Sequence, residues 1–272
     1  MLAIQKNIYF SICTLVTKWD EYDKMKASFE TAGFTDGCEY LFADNAKGNM
    51  YDAYSAIRNF LNNAKGKYVI IVHQDVRCID SLTYLQDCLL KLTDMDENWA
   101  ICGNAGARGY HQEIMYINTT GRIEVSENLP CKVNSLDENL LIIDAEKRLA
   151  ISADIGGFHF YGTDLCNVAH FLGYSCYVIP FMVKHLSSGN LKDMELYRQP
   201  FIDKYAKKLE ARYLQTTCTK FYLSNSKFKN RLYNSPFIFF FIKAWQRIKY
   251  NRQLALKGNL HKKTVTQEKG GE

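Results

Sequence analysis

What this chain has little of narrows it first. No stretch approaches the roughly 20 apolar residues a bilayer span requires, and the longest uninterrupted apolar run, Phe237 to Ile242, stops at Lys243. Proline occurs only 4 times, and charged residues make up 23% against 47% hydrophobic, which excludes a disordered or collagen-like chain. C-x-x-C occurs nowhere. The 9 cysteines (Cys13, Cys38, Cys78, Cys88, Cys102, Cys131, Cys166, Cys176, Cys218) are scattered and odd in number. They read as free thiols in a reducing compartment rather than as a disulfide framework or a thiolate zinc site. No small-residue cleavage site follows the first apolar segment, which ends in Thr17-Lys18-Trp19-Asp20, so a strand is expected there rather than a signal peptide, and a cytoplasmic chain.

What is there suits one large α/β domain with an extension. The 272 residues can bury a sizeable core, and 16 Phe, 18 Tyr and 3 Trp supply the bulk. The formal charge of +5 is uneven, because residues 220–272 carry 12 Lys/Arg against 2 acidic residues. In this tail Phe237, Ile238, Phe241, Ala244, Trp245 and Ile248 recur at helical spacing, interleaved with Lys243, Arg247, Lys249 and Arg252. Such a basic amphipathic helix either lies on an anionic membrane, peripheral to its inner face, or packs its aromatics on the domain. No recognised motif points to nucleic acid. The expected organisation is a domain over 1–219, a basic helical extension over 220–261 and a disordered tail over 262–272.

The first two-thirds alternates strand-like and helix-like segments, which predicts a mixed, mostly parallel sheet flanked by helices. Strands are expected at Tyr9 to Val16, Glu39 to Ala43, Tyr68 to Val72, Trp99 to Cys102, Leu140 to Ile143 and Ser175 to Ile179. Helices are expected at Asp20 to Ala32, Tyr51 to Asn62, Leu82 to Leu92 and Thr163 to Leu172. A hairpin is expected within Tyr110 to Glu127. Gly103, Gly106 and Gly109 have the wrong spacing for a dinucleotide fingerprint and predict a loop.

Ligands of open α/β sheets bind at strand carboxyl ends. The apolar strand Tyr68 to Val72 runs straight into His73-Gln74-Asp75. Residues two apart on extended chain point the same way, so His73 and Asp75 could share a divalent ion, with carboxylate oxygen suiting Mg or Mn. Asp164, where a glycine-bearing loop feeds a helix, is a general base if a cleft faces it and a dipole-complementing residue if none does. His185 follows an apolar run and is either a ligand or structural. Cys166 and His170 share a helix face, a weak hint of a nucleophile pair without a third group.

In order along the chain, the first strand, the Asp44-Asn45 turn, His73-Gln74-Asp75-Val76, Gly162-Thr163-Asp164 and His185 resemble family-2 nucleotide-sugar glycosyltransferases of the GT-A fold. The similarity is greatest to the streptomycin-biosynthesis-type, glycosyltransferase-like subgroup, and it covers roughly residues 8 to 190. The resemblance implies a metal-dependent, inverting transfer from a nucleotide-sugar donor to a glycan or lipid-linked acceptor, in cell-surface polysaccharide synthesis. It implies that Asp75 and His185 hold a Mn or Mg ion against the donor diphosphate and that Asp164 is the general base. Thr14, Asp44 and Asn45, with His73, would line the nucleotide pocket, and Asp137 and Glu138 would meet the acceptor. His73 departs from the family's D-x-D, replacing its first carboxylate with a ring. That departure keeps a second reading open, a sugar-nucleotide-binding or scaffolding module without turnover. A nucleotidyltransferase fits less well, because no glycine-rich basic loop follows the first strand.

Overall fold

Five successive apolar residues, Tyr68–Val72, leave a strand no face to show to water, so both sides must be covered. The structure, a computed structural model, describes residues 8–252 apart from 110, 188–193, 239, 242–243, 246 and 250–251. In chain order it begins with β1 (Phe10–Val16), α1 (Trp19–Thr31), β2 (Cys38–Asp44), α2 (Ala53–Asn63), β3 (Tyr68–Val72), β4 (Val76–Cys78) and α3 (Leu82–Met95). Strands β5 (Trp99–Gly103), β6 (Ala105–Ala107), β7 (Glu113–Thr119), β8 (Arg122–Val125), β9 (Cys131–Val133), β10 (Ser135–Leu136) and β11 (Leu140–Asp144) follow. Next come α4 (Tyr161–Phe171), β12 (Ser175–Val178), β13 (Val183–His185), α5 (Met194–Lys208), β14 (Arg212–Gln215), β15 (Lys220–Leu223) and α6 (Lys227–Tyr233).

The chain divides into two compact units between Ile202 and Asp203. The first is a mixed α/β unit. Its main sheet has the order β2-β1-β3-β11-β5-β12-β9. Strand β1 runs parallel to β2 and β3, and β12 runs parallel to β5. Strand β11 is antiparallel to both its neighbours, and β9 is antiparallel at the edge, so parallel pairing does not predominate as expected. Strand alternation sends Val69 and Ile71 to one packed layer with Ile57, Phe60 and Leu165 of α2 and α4. Tyr68, Ile70 and Val72 go to the opposite layer with Met25, Phe29 and Leu89 of α1 and α3. Asp52 starts α2 by accepting from the Ser55 amide at 2.7 Å, and Ser81 starts α3 by accepting from the Tyr84 amide at 3.2 Å.

A second sheet, β10-β6-β7-β13-β4 with β8 paired to β7, stands beside the carboxyl end of β3. The predicted hairpin is its β7–β8 pair. The predicted glycine loop instead contains β6, whose Gly106 allows close pairing, since an added Cβ would lie 2.4 Å from the Ser135 carbonyl oxygen. Among the described residues no helix is long and apolar enough to cross a membrane.

In the second unit, β14 and β15 form an antiparallel hairpin. Asn234, following α6, accepts from the Tyr222 amide at 2.7 Å and donates to its carbonyl at 2.9 Å. Because β14 pairs with β15, it belongs with the extension, which places the boundary earlier than residue 219. Every described residue from 236 to 252 is helical. Lys243 and residues 253–272, including the expected tail, lie outside the described residues.

Candidate functional site

His73 and Asp75 leave the carboxyl end of β3, and backbone pairing brings a third group to them. Strand β13 is antiparallel to β4 with His185 opposite Val76, so the His185 ring arrives beside Asp75. His185 Nε2 lies 3.5 Å from Asp75 Oδ1, and His73 Nδ1 lies 4.0 Å from the same oxygen. The three ligand atoms all fall within 4.8 Å of one another.

The next hydrogen bonds decide what His73 can offer. The Tyr161 hydroxyl has one proton, and it donates that proton to the Glu138 carbonyl at 3.1 Å. Its 2.7 Å contact with His73 Nε2 is therefore one in which the ring N–H donates. That leaves the Nδ1 lone pair facing Asp75 and His185, an outer-shell arrangement of the kind that orients metal-binding imidazoles. Burial lowers the His73 pKa, against the opposing charge of Asp75, and so favours the neutral ring. Burial alone would raise the Asp75 pKa, but hydrogen bonds from His185 and Ser187 hold it well below the usual carboxylate range. A neutral imidazole, an ionised carboxylate and a second imidazole form a donor set that fits a divalent cation. With two nitrogens to one carboxylate it favours Mn, Fe, Co or Zn over Mg.

Gln74, between the two ligands, holds the strand ends together. Its Oε1 accepts from the Thr17 and Lys18 amides at 2.9 Å each, and its Nε2 donates to Thr17 Oγ1 at 2.6 Å. Arg77 binds the Gln74 carbonyl at 3.0 Å and pairs with Glu21 of α1. The three donors open into a cleft of about 470 Å³, also lined by Leu15, Thr17, Phe158 and Tyr197. A second lobe of about 320 Å³ shares His73, Phe158, His159 and His185, and adds Asp137 and Glu138.

The carboxylates differ from expectation. Asp164 is fully buried, and its two oxygens accept from the Ser152 amide at 2.8 Å and the Ser152 hydroxyl at 2.7 Å. It lines neither lobe. This corrects the general-base assignment: Asp164 fastens the loop before α4. The second lobe is lined by Asp137, Glu124 and, against the first turn of α4, Glu138. One Glu138 oxygen faces the Gly162 amide at 3.4 Å, in the first turn of α4. Gly162 permits this approach, because a Cβ there would lie 2.6 Å from the Leu136 carbonyl oxygen and 3.4 Å from Glu138 Cγ. Burial, then the charge of Asp137, pushes the Glu138 carboxyl up to about 8 against the pull of the α4 amides.

No family model matches the chain. The protein named "ATP synthase subunits region ORF 6" of Fuscovulum blasticum is 34% identical over 222 residues, covering 77% of this chain and 88% of its own length. The chain belongs to the family of that protein. Among solved structures, A197 from STIV is 12% identical with a TM-score of 0.41, over 66% of this chain and 86% of its own, a likeness too remote to bear on function.

The remaining expected residues of this family member divide between the cleft and its surroundings. Thr14 shares the strand face of Ile12 and Val16, is fully buried, and its hydroxyl has no hydrogen-bond partner among the described residues. Leu15 and Thr17, on the alternate face, line the cleft in its place. Asn45 is buried and bonds both the carbonyl and the amide of Tyr51, at 2.8 and 3.0 Å, bracing the loop after β2. Asp44 is exposed and level with Val16 at the same carboxyl edge, with one oxygen on the Ala46 amide at 2.8 Å. Asp137 and Glu138 share the second lobe. Cys166 is buried in the α2–α4 layer and lines neither lobe, which removes the Cys166–His170 pair. Sequence reasoning missed Gln74 and Tyr161; the only signal was their adjacency to the motifs.

Proposed function

We propose that the chain is a GT-A-type glycosyltransferase that moves a sugar from a nucleotide donor to a glycan or lipid-linked acceptor, in the synthesis of a cell-surface polysaccharide. The observation that carries the reading is the convergence of His73, Asp75 and His185 in one lobe, with Glu138 in the adjoining lobe. A divalent ion held by the three donors would neutralise charge developing on a departing diphosphate. Asp44, at the same carboxyl edge as Val16, would contact the nucleotide base, and Gln74 would keep the β1 and β3 ends at fixed separation for the donor. Asp137 and Glu138 face the acceptor, and Glu138 takes its hydroxyl proton as that oxygen attacks the sugar. A carboxyl with a raised pKa is a stronger base than an ordinary one, and a positioned base contributes about 10²–10⁴-fold.

Replacing Glu138 by Gln lowers the transfer rate by about 10²–10⁴-fold and leaves donor binding, read by thermal shift with nucleotide sugars and Mn, within about twofold. In the unsubstituted chain the rate rises with pH as this carboxyl ionises, toward a plateau above about 8, and the Gln chain lacks that limb. Stability carries the opposite sign. The folded pKa of about 8 lies above the ordinary 4.5, so stability falls as pH climbs through that interval, and the Gln chain lacks the fall. A Glu138→Gln chain that turned over at the original rate would remove the base assignment. The burial of Asp164 favours a second reading, a module that binds sugar nucleotides without turnover. Donor-dependent stabilisation with no transfer or hydrolysis in Mn would select it.

A further inference from the structure

We infer that the described helical residues between 236 and 252 seat on the surface of an anionic lipid bilayer, an inference that stands whether or not the cleft transfers sugar. At about 100° per residue, Phe237, Phe241, Trp245 and Ile248 fall within an arc of about 80°. All four are exposed, at 71, 54, 61 and 53%. An apolar stripe left in water is the signature of a surface that meets something else. Arg247 and Lys249 stand on opposite flanks of this stripe, and Arg252 follows beyond Ile248. The Lys249 ammonium lies 5.4 Å from the Trp245 ring centre. No acidic residue occurs between Glu210 and Glu268, so the whole region presents one sign of charge.

The combination selects the partner. Bases or phosphates would satisfy the cations but leave Ile248 and the far side of the aromatic stripe wet. An apolar protein groove would bury the stripe but gain nothing from charge of a single sign. A bilayer with acidic headgroups accepts both: the aromatic face enters the headgroup boundary while the long basic side chains reach phosphate. The helix is too polar to cross, so it lies in the plane of the interface.

The test uses the full chain and vesicles of phosphatidylcholine, with or without about 30% phosphatidylserine, sedimented at about 0.1 M and about 0.5 M salt. Anionic vesicles are expected to bind on the order of 100-fold more tightly than neutral ones, with the preference shrinking at the higher salt. Exchanging Arg247, Lys249 and Arg252 together for Gln costs about 100-fold. Exchanging Phe241 and Trp245 for Ser costs about tenfold or more and leaves the far-ultraviolet spectrum and donor binding unchanged. Brominated lipid quenches the Trp245 emission, with the Trp245→Phe chain as the blank. Equal affinity for neutral and anionic vesicles, or unaltered binding by the Phe241→Ser/Trp245→Ser chain, would overturn the inference. So would displacement of the chain from vesicles by an RNA or DNA oligonucleotide at matched phosphate concentration.

Discussion

The cleft of the first unit and the helix of the second use aromatic side chains in opposite ways. At the cleft, the Tyr161 and Tyr54 rings are buried and their hydroxyls are committed: Tyr161 binds His73 and Glu138, and Tyr54 donates to the His159 carbonyl at 3.1 Å. Among the described residues of 236–252, the Phe237, Phe240, Phe241 and Trp245 rings are uncovered and cations lie nearby in the sequence. The first arrangement holds His73 in one geometry because the Tyr161 ring beside it is locked by packing. The second leaves its free energy to be gained on contact with a partner. The contrast separates what a substitution should do in each unit: stability and chemistry respond in one, association in the other.

The same substitution placed in both units gives the widest separation. Trp99 is buried, stacks on Tyr68 with ring centres 6.0 Å apart, and donates to Thr93 at 3.0 Å. Trp99→Ala is expected to cost about 3–5 kcal/mol in denaturant unfolding. Trp245→Ala, at an exposed site, should change stability by about 0.5 kcal/mol or less. A large loss from Trp245→Ala would mean that the helix is held by its own unit rather than offered outward. Asp164→Asn gives the next effect. An Asn oxygen can keep the Ser152 amide bond while its NH2 turns to the Ser152 hydroxyl, which must then accept; two charge-assisted bonds become neutral ones, so about 2 kcal/mol of stability should be lost. The transfer rate per folded molecule should stay near that of the unsubstituted chain, and a 100-fold loss at full folding would restore Asp164 to the chemistry.

How much of this was legible follows from where the information lies. The β3 strand and the paired facing of His73 and Asp75 could be read because both depend on neighbours within five residues. The approach of His185 depends on the register of β13 with β4, three-residue strands too short to show alternation. Thr14 shows how fine the margin is: the correct strand, taken one residue out of phase, selects the buried layer instead of the cleft. The choice between Asp164 and Glu138 was not local at all. A carboxylate in the first turn of a helix is visible in sequence, but which acid enters the cleft is set by the approach of the β10–β11 connection to Gly162. Helix α4 also begins at Tyr161, earlier than Thr163, with Phe160 at φ 66° turning the chain into it. That start gives Tyr161 the cleft-facing position and leaves Asp164, three residues on, against Ser152. In the second unit, spacing alone exposed the aromatic–basic pattern, but only coordinates could show that the stripe is uncovered.

Tyr161→Phe tests the finest part of the contrast, the claim that committed hydroxyls in the first unit have consequences for chemistry. The ring and its packing remain, so unfolding free energy should move by only about 1–2 kcal/mol, the worth of two hydrogen bonds. His73 loses the acceptor that keeps its proton on Nε2, and the tautomer with Nδ1 protonated then becomes competitive. Only a ring with a free Nδ1 lone pair can share a cation with Asp75 and His185 in the present geometry. Outer-shell losses of this kind cost about 10–100-fold in metal affinity. Titration with Mn, followed by the rise in melting temperature, should show that loss for Tyr161→Phe, whereas Tyr54→Phe, which removes the hydroxyl that donates to the His159 carbonyl, should bind Mn as before. If both variants bound Mn equally well, the hydroxyl at Tyr161 would be structural, and His73 would have to be held in place by Asp75 and the cation alone.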